Sequence, residues 1–193
     1  MNHLVFLQGI PLLVLIIMLV VLRRRVLYQL LDTPCLFHYA LLPYLPELQF
    51  KGQLREIVLV MHQWRNDGKT NHLLINKVME YDKAHLTSYF LRYRIEYQKR
   101  YKKEVSCCKE FFDFADYKPY DDFKVDLITG KIVSIKVQKD LFPDWHNKEY
   151  LRVCMAKLYE KHIFGVGKSR ITDEEWQRLL DGYKNITGED YEI

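Results

Sequence analysis

The stretch that decides the fold is LQFKGQLREIVLVMHQW, from Leu48 to Trp64. Its apolar side chains recur at steps of three and four residues, a spacing that places them along one stripe of an α-helix. They are Phe50, Leu54, Ile57, Val58, Met61 and Trp64. The sequence therefore predicts an amphipathic helix here, which ends at the turn-forming residues 66–68, Asn-Asp-Gly.

The same spacing predicts a second long helix downstream, over about residues 83–102. Its apolar stripe consists of Leu86, Tyr89, Phe90, Tyr93, Tyr97 and Tyr101. We interpret these aromatic side chains as core packing rather than as a surface on which bases stack. A shorter helix is expected just before it, over residues 73–80.

Two more helices are expected near the C-terminus. One covers residues 147–161. The last begins at residues 172–175, Thr-Asp-Glu-Glu, which have the form of a capping box, and runs to about Lys184. Residues 164–168, Phe-Gly-Val-Gly-Lys, lie between these helices and lack the spacing of a phosphate-binding P-loop. We interpret them as an ordinary loop.

The strand signal is confined to residues 123–137. Apolar side chains alternate there on both sides of Thr129-Gly130, which is typical of a β-hairpin. With five predicted helices and one hairpin, the fold class is mainly α: a compact helical domain with a possible β-hairpin insertion. No internal repeat or low-complexity tract is visible.

A nineteen-residue apolar run without charge, LVFLQGIPLLVLIIMLVVL, extends from Leu4 to Leu22. At about 1.5 Å per helical residue, it matches the thickness of a bilayer core. The residues before it carry no Lys or Arg, and no small-residue cleavage pattern follows, so we expect an anchor rather than a cleaved signal peptide. The sequence therefore predicts one transmembrane helix, although Gly9 and Pro11 weaken its first turns.

The arrangement of charge and proline around this run sets the expected domain organisation. Arg23, Arg24 and Arg25 follow the apolar run, and by the positive-inside rule they keep the rest of the chain in the cytoplasm. Pro34 should break any helix that continues from the membrane. We expect an anchor over residues 1–25, a linker over 26–33 and one domain over 34–193. If the N-terminal segment is removed or the start is misassigned, the protein is cytoplasmic.

Charge is unevenly distributed along the 193 residues. The net charge is only +4, which by itself does not indicate a nucleic-acid partner. Residues 47–104, however, hold twelve basic and seven acidic side chains, whereas residues 105–193 hold fourteen basic and seventeen acidic ones. The middle segment is therefore suited to an anionic partner, and a solvated basic helix face is the equally simple alternative.

General catalytic motifs are missing from the sequence. There is no HExxH, no nucleophile elbow and no dinucleotide-binding fingerprint. The four cysteines, Cys35, Cys107, Cys108 and Cys154, form no CxxC pair and have no zinc-site spacing. We therefore expect reduced thiols, no metal and no small-molecule cofactor.

Four short motifs in the basic half occur in a recognisable order. Residues 36–38 read LFH, residues 42–49 read LPYLPELQ, residues 52–56 read GQLRE, and residues 71–81 read NHLLINKVMEY. Together they resemble the pyrimidine-dimer DNA glycosylase (endonuclease V-like) family. The resemblance covers residues 35–100 and, more loosely, 146–151 and 171–176, while residues 106–141 have no counterpart.

This resemblance implies a compact helical fold that recognises damaged duplex DNA and couples glycosylase activity to cleavage at the abasic site. Glu56 would be the catalytic acidic residue that stabilises the cationic sugar, and a solvated helix glutamate is the alternative. Arg55 would bind a phosphate next to the lesion. Further candidates for DNA binding, which are also common as caps or buried polar groups, are Gln49, His72, Asn76 and Lys77.

The chain departs from the family at the nucleophile. The family uses the free α-amino group at the start of the domain to form a Schiff base with the sugar. The matching position here is near Pro34 and Cys35, inside the chain, and no methionine lies there. Three hypotheses stay open: a glycosylase/lyase with a processed or misassigned start, a membrane-tethered relative that binds DNA without catalysis, and an anchored adaptor that binds protein.

Overall fold

The computed structural model describes residues 36–66, 73–115, 123–125, 132–135 and 140–192, all within the unit Pro34–Ile193. The predicted membrane segment 4–22, the linker 26–33 and the candidate residue His72 lie outside these residues. Among the helices in the described part of the chain, none is both long enough and apolar enough to cross a bilayer.

The described residues are mainly helical, as the sequence predicts. The helices are α1 (Glu47–Arg65), α2 (Leu73–Met79), α3 (Lys83–Tyr101), α4 (Cys108–Ala115), α5 (Lys148–Phe164) and α6 (Asp173–Thr187). Two 3₁₀ turns, Tyr39–Leu41 and Gly167–Ser169, precede α1 and α6. Five of the six helices agree with the predicted ranges to within three residues at each end.

Side-chain caps explain where three of the helices begin. The Asp82 carboxylate accepts a hydrogen bond from the backbone of α3, and the Asn147 side chain does the same for α5. At α6 the predicted capping box is confirmed: the Glu175 amide donates to the Thr172 hydroxyl, and the Thr172 amide donates to the Glu175 carboxylate. These contacts satisfy backbone N–H groups that have no partner within their helices.

The helix α4 was not predicted. It covers only eight residues, too few for a helical period to repeat reliably, but it has a strongly apolar face. Phe111 and Phe114 are buried, and the Phe111 ring stacks on Phe90 of α3 with centroids 4.1 Å apart. Tertiary packing on α3 therefore accounts for a helix that its own sequence pattern signals weakly.

The strands β1 (Phe123–Val125) and β2 (Ile132–Ile135) pair antiparallel, as expected for the predicted hairpin. Lys124 lies opposite Ser134, and an irregularity follows between Lys124 and Val125. The predicted turn at Thr129-Gly130 lies outside the described residues.

The core is formed by side chains from all six helices together with the segment that precedes α1. The predicted core role of the α3 stripe is confirmed, because Leu86, Tyr89, Phe90 and Tyr93 are fully buried. The Tyr93 ring stacks on Phe50 of α1 with centroids 4.5 Å apart. This packing holds α1, the helix with the candidate site residues, firmly against the rest of the domain.

Arg100 of α3 holds the LPYLP segment in place. Its guanidinium donates hydrogen bonds to the carbonyls of Leu42, Pro43 and Leu45, at 2.8 to 2.9 Å. It also pairs with Glu96 at 2.8 Å and lies 4.1 Å from the centroid of Phe50. One arginine thereby satisfies three carbonyls of the turn that leads into α1.

Candidate functional site

A small cleft lies beside α1 and α2. It is lined by Leu36, Glu56, Val60, Leu74, Ile75, Val78 and Trp145. Glu56 is the one ionisable side chain among these residues. A carboxylate in apolar surroundings interacts strongly with a nearby cation, because little water screens the charge. The cleft therefore has the character of a site for a positively charged group or transition state.

The geometry of α1 separates the two residues of the RE pair. Gln49, Gln53, Glu56 and Val60 follow one another at steps of three or four, so they share one face of the helix. That face points inward, and the Glu56 side chain is 13% exposed. Arg55, one residue earlier, is 78% exposed, and its Nη2 lies 3.9 Å from Glu56 Oε1. The carboxylate thus lies in the cleft and the guanidinium at its rim.

The segment of residues 36–38 is fixed against the cleft by α1 and α3. The Phe37 amide donates to Gln53 Oε1 at 2.8 Å. The Tyr89 hydroxyl oxygen lies 2.8 Å from the Phe37 carbonyl oxygen and 2.9 Å from Gln53 Oε1. Its one proton can therefore be donated to either of these two acceptors. All these groups are buried, and a buried hydrogen bond is expensive to break.

The helix α5 holds the same segment from the other side. The Tyr150 hydroxyl donates to the Leu36 carbonyl at 2.8 Å, and the His38 amide contacts Cys154 Sγ at 3.3 Å. Leu36 itself is 3% exposed and lines the cleft together with Glu56. Residues 36–38 are therefore held beside the Glu56 carboxylate by contacts from three helices.

Two buried histidines support the wall of the cleft next to Trp145. His38 Nε2 lies 2.8 Å from the His146 carbonyl, and His38 Nδ1 accepts from the Ala40 amide at 3.3 Å. This pair of contacts requires the neutral tautomer with the proton on Nε2. Burial lowers the pKa of His38 and lowers that of His146 well below its usual value. The His146 ring packs against Trp145, with centroids 4.7 Å apart.

The remaining candidates from the sequence are distributed around this site. Asn76 and Lys77 lie half-buried on α2, next to the cleft residues Ile75 and Val78. Gln49 is buried two turns before Glu56, and its Nε2 lies 3.4 Å from the Ser169 carbonyl. The structure therefore brings Glu56, Arg55, Asn76 and Lys77 to one region and places Gln49 against the loop after α5.

Sequence reasoning did not identify Gln53 or Trp145 as parts of the site. A signal for Gln53 was present, since it is a polar residue between Phe50 and Ile57 on the apolar stripe of α1. A buried polar group on such a stripe needs a specific partner. Trp145 has no such signal, because it approaches Glu56 only through the tertiary fold.

Comparison of the chain with protein-family models, curated proteins and solved structures finds no match in any of the three.

Proposed function

We propose that the protein is a DNA glycosylase with abasic-site lyase activity, of the pyrimidine-dimer glycosylase type. The observation that carries this proposal is the meeting of Leu36 and Glu56 in one cleft. An enzyme that uses the amine at the start of its domain as nucleophile needs that start next to a carboxylate. A hydrogen bond from α5 holds Leu36 in that place, and hydrogen bonds with α1 and α3 hold Phe37 next to it.

The chemistry requires an amine that replaces the base on the sugar. The amine nitrogen attacks C1′ of the damaged nucleotide, the bond from C1′ to the base breaks, and the base leaves with the electron pair. Loss of the amine proton and opening of the sugar ring give a Schiff base. Removal of a C2′ proton then expels the 3′ phosphate, and water releases the amine. Glu56 stabilises the cationic sugar in the first step and assists the elimination.

The rest of the site suits contact with duplex DNA. Val60, Ile75 and Trp145 give the cleft apolar walls next to Glu56. Arg55 at the rim is exposed and can bind a neighbouring phosphate through both guanidinium nitrogens. Binding through such cations weakens as salt rises, because condensed counterions are released from the DNA.

The amine itself must come from a chain that begins near Cys35. An α-amino group with a pKa of about 8 is roughly one-tenth unprotonated at pH 7, whereas a lysine with a pKa of about 10.4 is free in only about 0.04% of molecules. An ordinary lysine would therefore start a few hundred-fold behind an α-amine, unless its surroundings lowered its pKa. The proposal therefore includes cleavage of the chain near Pro34 or Cys35, which would free an α-amine at that position.

A second candidate function is DNA binding without catalysis. The specific observation in its favour is that the position that matches the family's N-terminus, near Pro34 and Cys35, lies inside the chain. The anchored protein adaptor, which needs neither the amine nor the exposed Arg55, is the third candidate.

Borohydride trapping separates these candidates. The full-length protein and a form that begins at Cys35 are each reduced in the presence of abasic duplex DNA, and the crosslinked peptide is mapped. A crosslink at the Cys35 amine supports the processed enzyme, and a crosslink on an internal lysine overturns the α-amine assignment. Salt-dependent binding without a crosslink in either form indicates the non-catalytic relative. Absence of both binding and crosslinking leaves the adaptor.

A further inference from the structure

An apolar protrusion lies at the end of α5, formed by residues 163–166. Phe164 is 76% exposed and Val166 is 83% exposed, the two highest values for large apolar side chains among the described residues, and Ile163 beside them is 46% exposed. Single exposed apolar residues are ordinary, but three adjacent ones on one loop indicate a surface that contacts a partner.

The backbone of the loop forces these side chains outward. A Cβ atom at Gly165 would lie 2.1 Å from the Lys161 carbonyl oxygen and 2.7 Å from the Arg170 Cα. Gly165 therefore faces inward against the domain, and its neighbours Phe164 and Val166 project away from it. Gly167 adopts a left-handed φ of +59°, which a residue with a side chain rarely takes. The protrusion is built into the fold at its two glycines.

Hydrogen bonds hold the loop in this shape. The amides of Gly165 and Ile171 both donate to the Lys161 carbonyl, at 3.2 and 3.3 Å. The Ser169 hydroxyl donates to the Val166 carbonyl at 2.8 Å. Because the loop is already ordered, a partner that binds it does not have to overcome the entropy of ordering the chain.

Positive charge flanks the apolar tip. Lys161, Lys168 and Arg170 are exposed, and none of them takes part in an ion pair within the described part of the chain. Among the residues of this loop and its flanks, His162 contacts an acidic side chain: its Nε2 lies 3.8 Å from Asp173 Oδ1. An apolar tip between cations fits a partner with a dense negative backbone and a stacked apolar interior, and duplex DNA has both.

The position of the loop favours DNA in particular. Ser169 contacts Gln49, which lies on the same face of α1 as Glu56 and seven residues before it. Seven helical residues span about 10 Å, roughly the rise of three base-pair steps. The base of the protrusion is therefore next to the candidate site, at a distance that one short stretch of duplex can bridge.

We infer that the protrusion is a DNA wedge: Phe164, supported by Val166, inserts at a base-pair step near the damaged nucleotide while Lys168 and Arg170 bind the flanking phosphates. Inserted apolar side chains unstack and bend the duplex, which would help expose the damaged nucleotide to Arg55 and Glu56. This inference rests on the proposed function for the location of the lesion.

The test compares the full-length protein with Phe164→Ser, and with Val153→Ser as the matched control. Val153 is an apolar residue of the same helix that is 41% exposed, eleven residues before Phe164. Binding is measured on a duplex that holds an abasic-site analogue with 2-aminopurine beside it. We expect Phe164→Ser to weaken binding roughly tenfold and to remove most of the fluorescence increase that unstacking produces, because an aromatic contact with a base is lost. Val153→Ser should match the parent.

A second substrate separates the wedge from catalysis. On single-stranded abasic DNA no base pair has to be unstacked, so Phe164→Ser in the form that begins at Cys35 should form the Schiff base as fast as that form without the substitution. Lys168→Gln removes one cation that would bind a phosphate. It should therefore make the slope of log affinity against log salt concentration less steep by about 0.9.

Four results decide the inference. Equal fluorescence and affinity for the parent and Phe164→Ser would overturn the wedge and leave the proposed enzyme intact. Unstacking that depends on Phe164, without strand cleavage, would support the wedge and contradict the lyase. Equal loss of Schiff-base formation by Phe164→Ser on both substrates would overturn the wedge in favour of a structural role. Phe164-dependent binding to vesicles of anionic lipid, with unchanged DNA affinity, would reassign the protrusion to a membrane surface.

Discussion

At the scale of single residues, the central feature is a carboxylate that the fold keeps inside an apolar cleft. Glu56 is exposed enough to meet a ligand, and its neighbours in the lining are apolar. A glutamate that served only solubility would lie on the same face as Arg55, which is well exposed. The different exposure of Arg55 and Glu56, which are adjacent in α1, therefore distinguishes a side chain on the soluble surface from one in the cleft.

Glu56→Gln is expected to remove strand cleavage while DNA binding changes less than threefold. The amide keeps the shape of the side chain but not the negative charge that stabilises the cationic sugar, and such electrostatic groups contribute about 10²- to 10³-fold to the rate. Cleavage of abasic duplex DNA and its binding are measured side by side. Glu149→Gln, at a side chain that is 77% exposed on α5, is the control and should retain both. Parallel loss of binding would assign Glu56 a structural role.

The buried histidines predict that acid destabilises the domain. Burial lowers the pKa of both His38 and His146 below 6.5 in the folded protein. At a pH between the folded pKa values and 6.5, the unfolded chain therefore binds more protons than the folded protein does. The free energy of unfolding is consequently highest above pH 6.5 and declines as the pH falls below that value. The slope is up to about 1.4 kcal/mol per pH unit for each histidine.

Urea unfolding at pH 7.5 and 5.5 measures this effect. Tryptophan fluorescence reports on the domain even in the full chain, because all three tryptophans follow Pro34. His146→Phe keeps an aromatic ring but cannot be protonated, and it should reduce the pH dependence. His62→Gln, at a side chain that is 52% exposed, should leave it unchanged. An equal free energy of unfolding at pH 7.5 and pH 5.5 would show that the folded protein holds neither histidine neutral.

At the scale of secondary-structure elements, the predictable parts of the fold are those with a local signal. The period of α1 and α3, the Thr172 capping box and the alternation of the two hairpin strands are all local in sequence. The helix α4 is too short to show a period, and its place depends on stacking against Phe90. Local patterns therefore gave five helices and left out the one that tertiary packing determines.

The same distinction applies to the candidate site. Arg55 and Glu56 are neighbours in one motif, so their opposite exposure follows from helix geometry. The contact between Leu36 and Tyr150, in contrast, joins residues 114 apart in the chain, and no local pattern reveals it. The residues that bear charge were predictable, whereas the contacts that hold the start of the domain in the cleft were not.

Replacing Arg100 is expected to loosen the turn that leads into α1. Arg100→Lys leaves a single ammonium where a guanidinium serves three carbonyls and Glu96, so several partly buried acceptors lose a donor. We expect a loss of about 2–4 kcal/mol in the free energy of unfolding. The control is Arg152→Lys, at a side chain that is 53% exposed, which should change it by less than about 0.5 kcal/mol. A matching small change at Arg100 would show that water replaces its hydrogen bonds.

At the scale of the whole molecule, the described domain is one part of a chain with a strongly apolar N-terminal segment. The buried core of the domain includes side chains from all six helices, and the hydrogen bonds that fix residues 36–38 are made with α1, α3 and α5. The expected role of the N-terminal segment is to place this domain at a membrane.

That segment leads to the last prediction, which concerns topology. Nineteen uncharged residues from Leu4 to Leu22 match a bilayer core, and the arginines at 23–25 favour retention of the following chain on the cytoplasmic side. We expect the protein to resist carbonate extraction, and we expect a C-terminal tag to be digested by protease only after the cells are opened. Changing all three arginines to glutamine should reduce this bias in orientation, because retention depends on positive charge next to the span. Changing Lys102, Lys103 and Lys109 instead is the control, since these cations lie far from the span in sequence and should not alter the orientation. Release by carbonate would show that the apolar segment does not span a membrane, and digestion of the C-terminal tag in intact cells would reverse the assigned orientation.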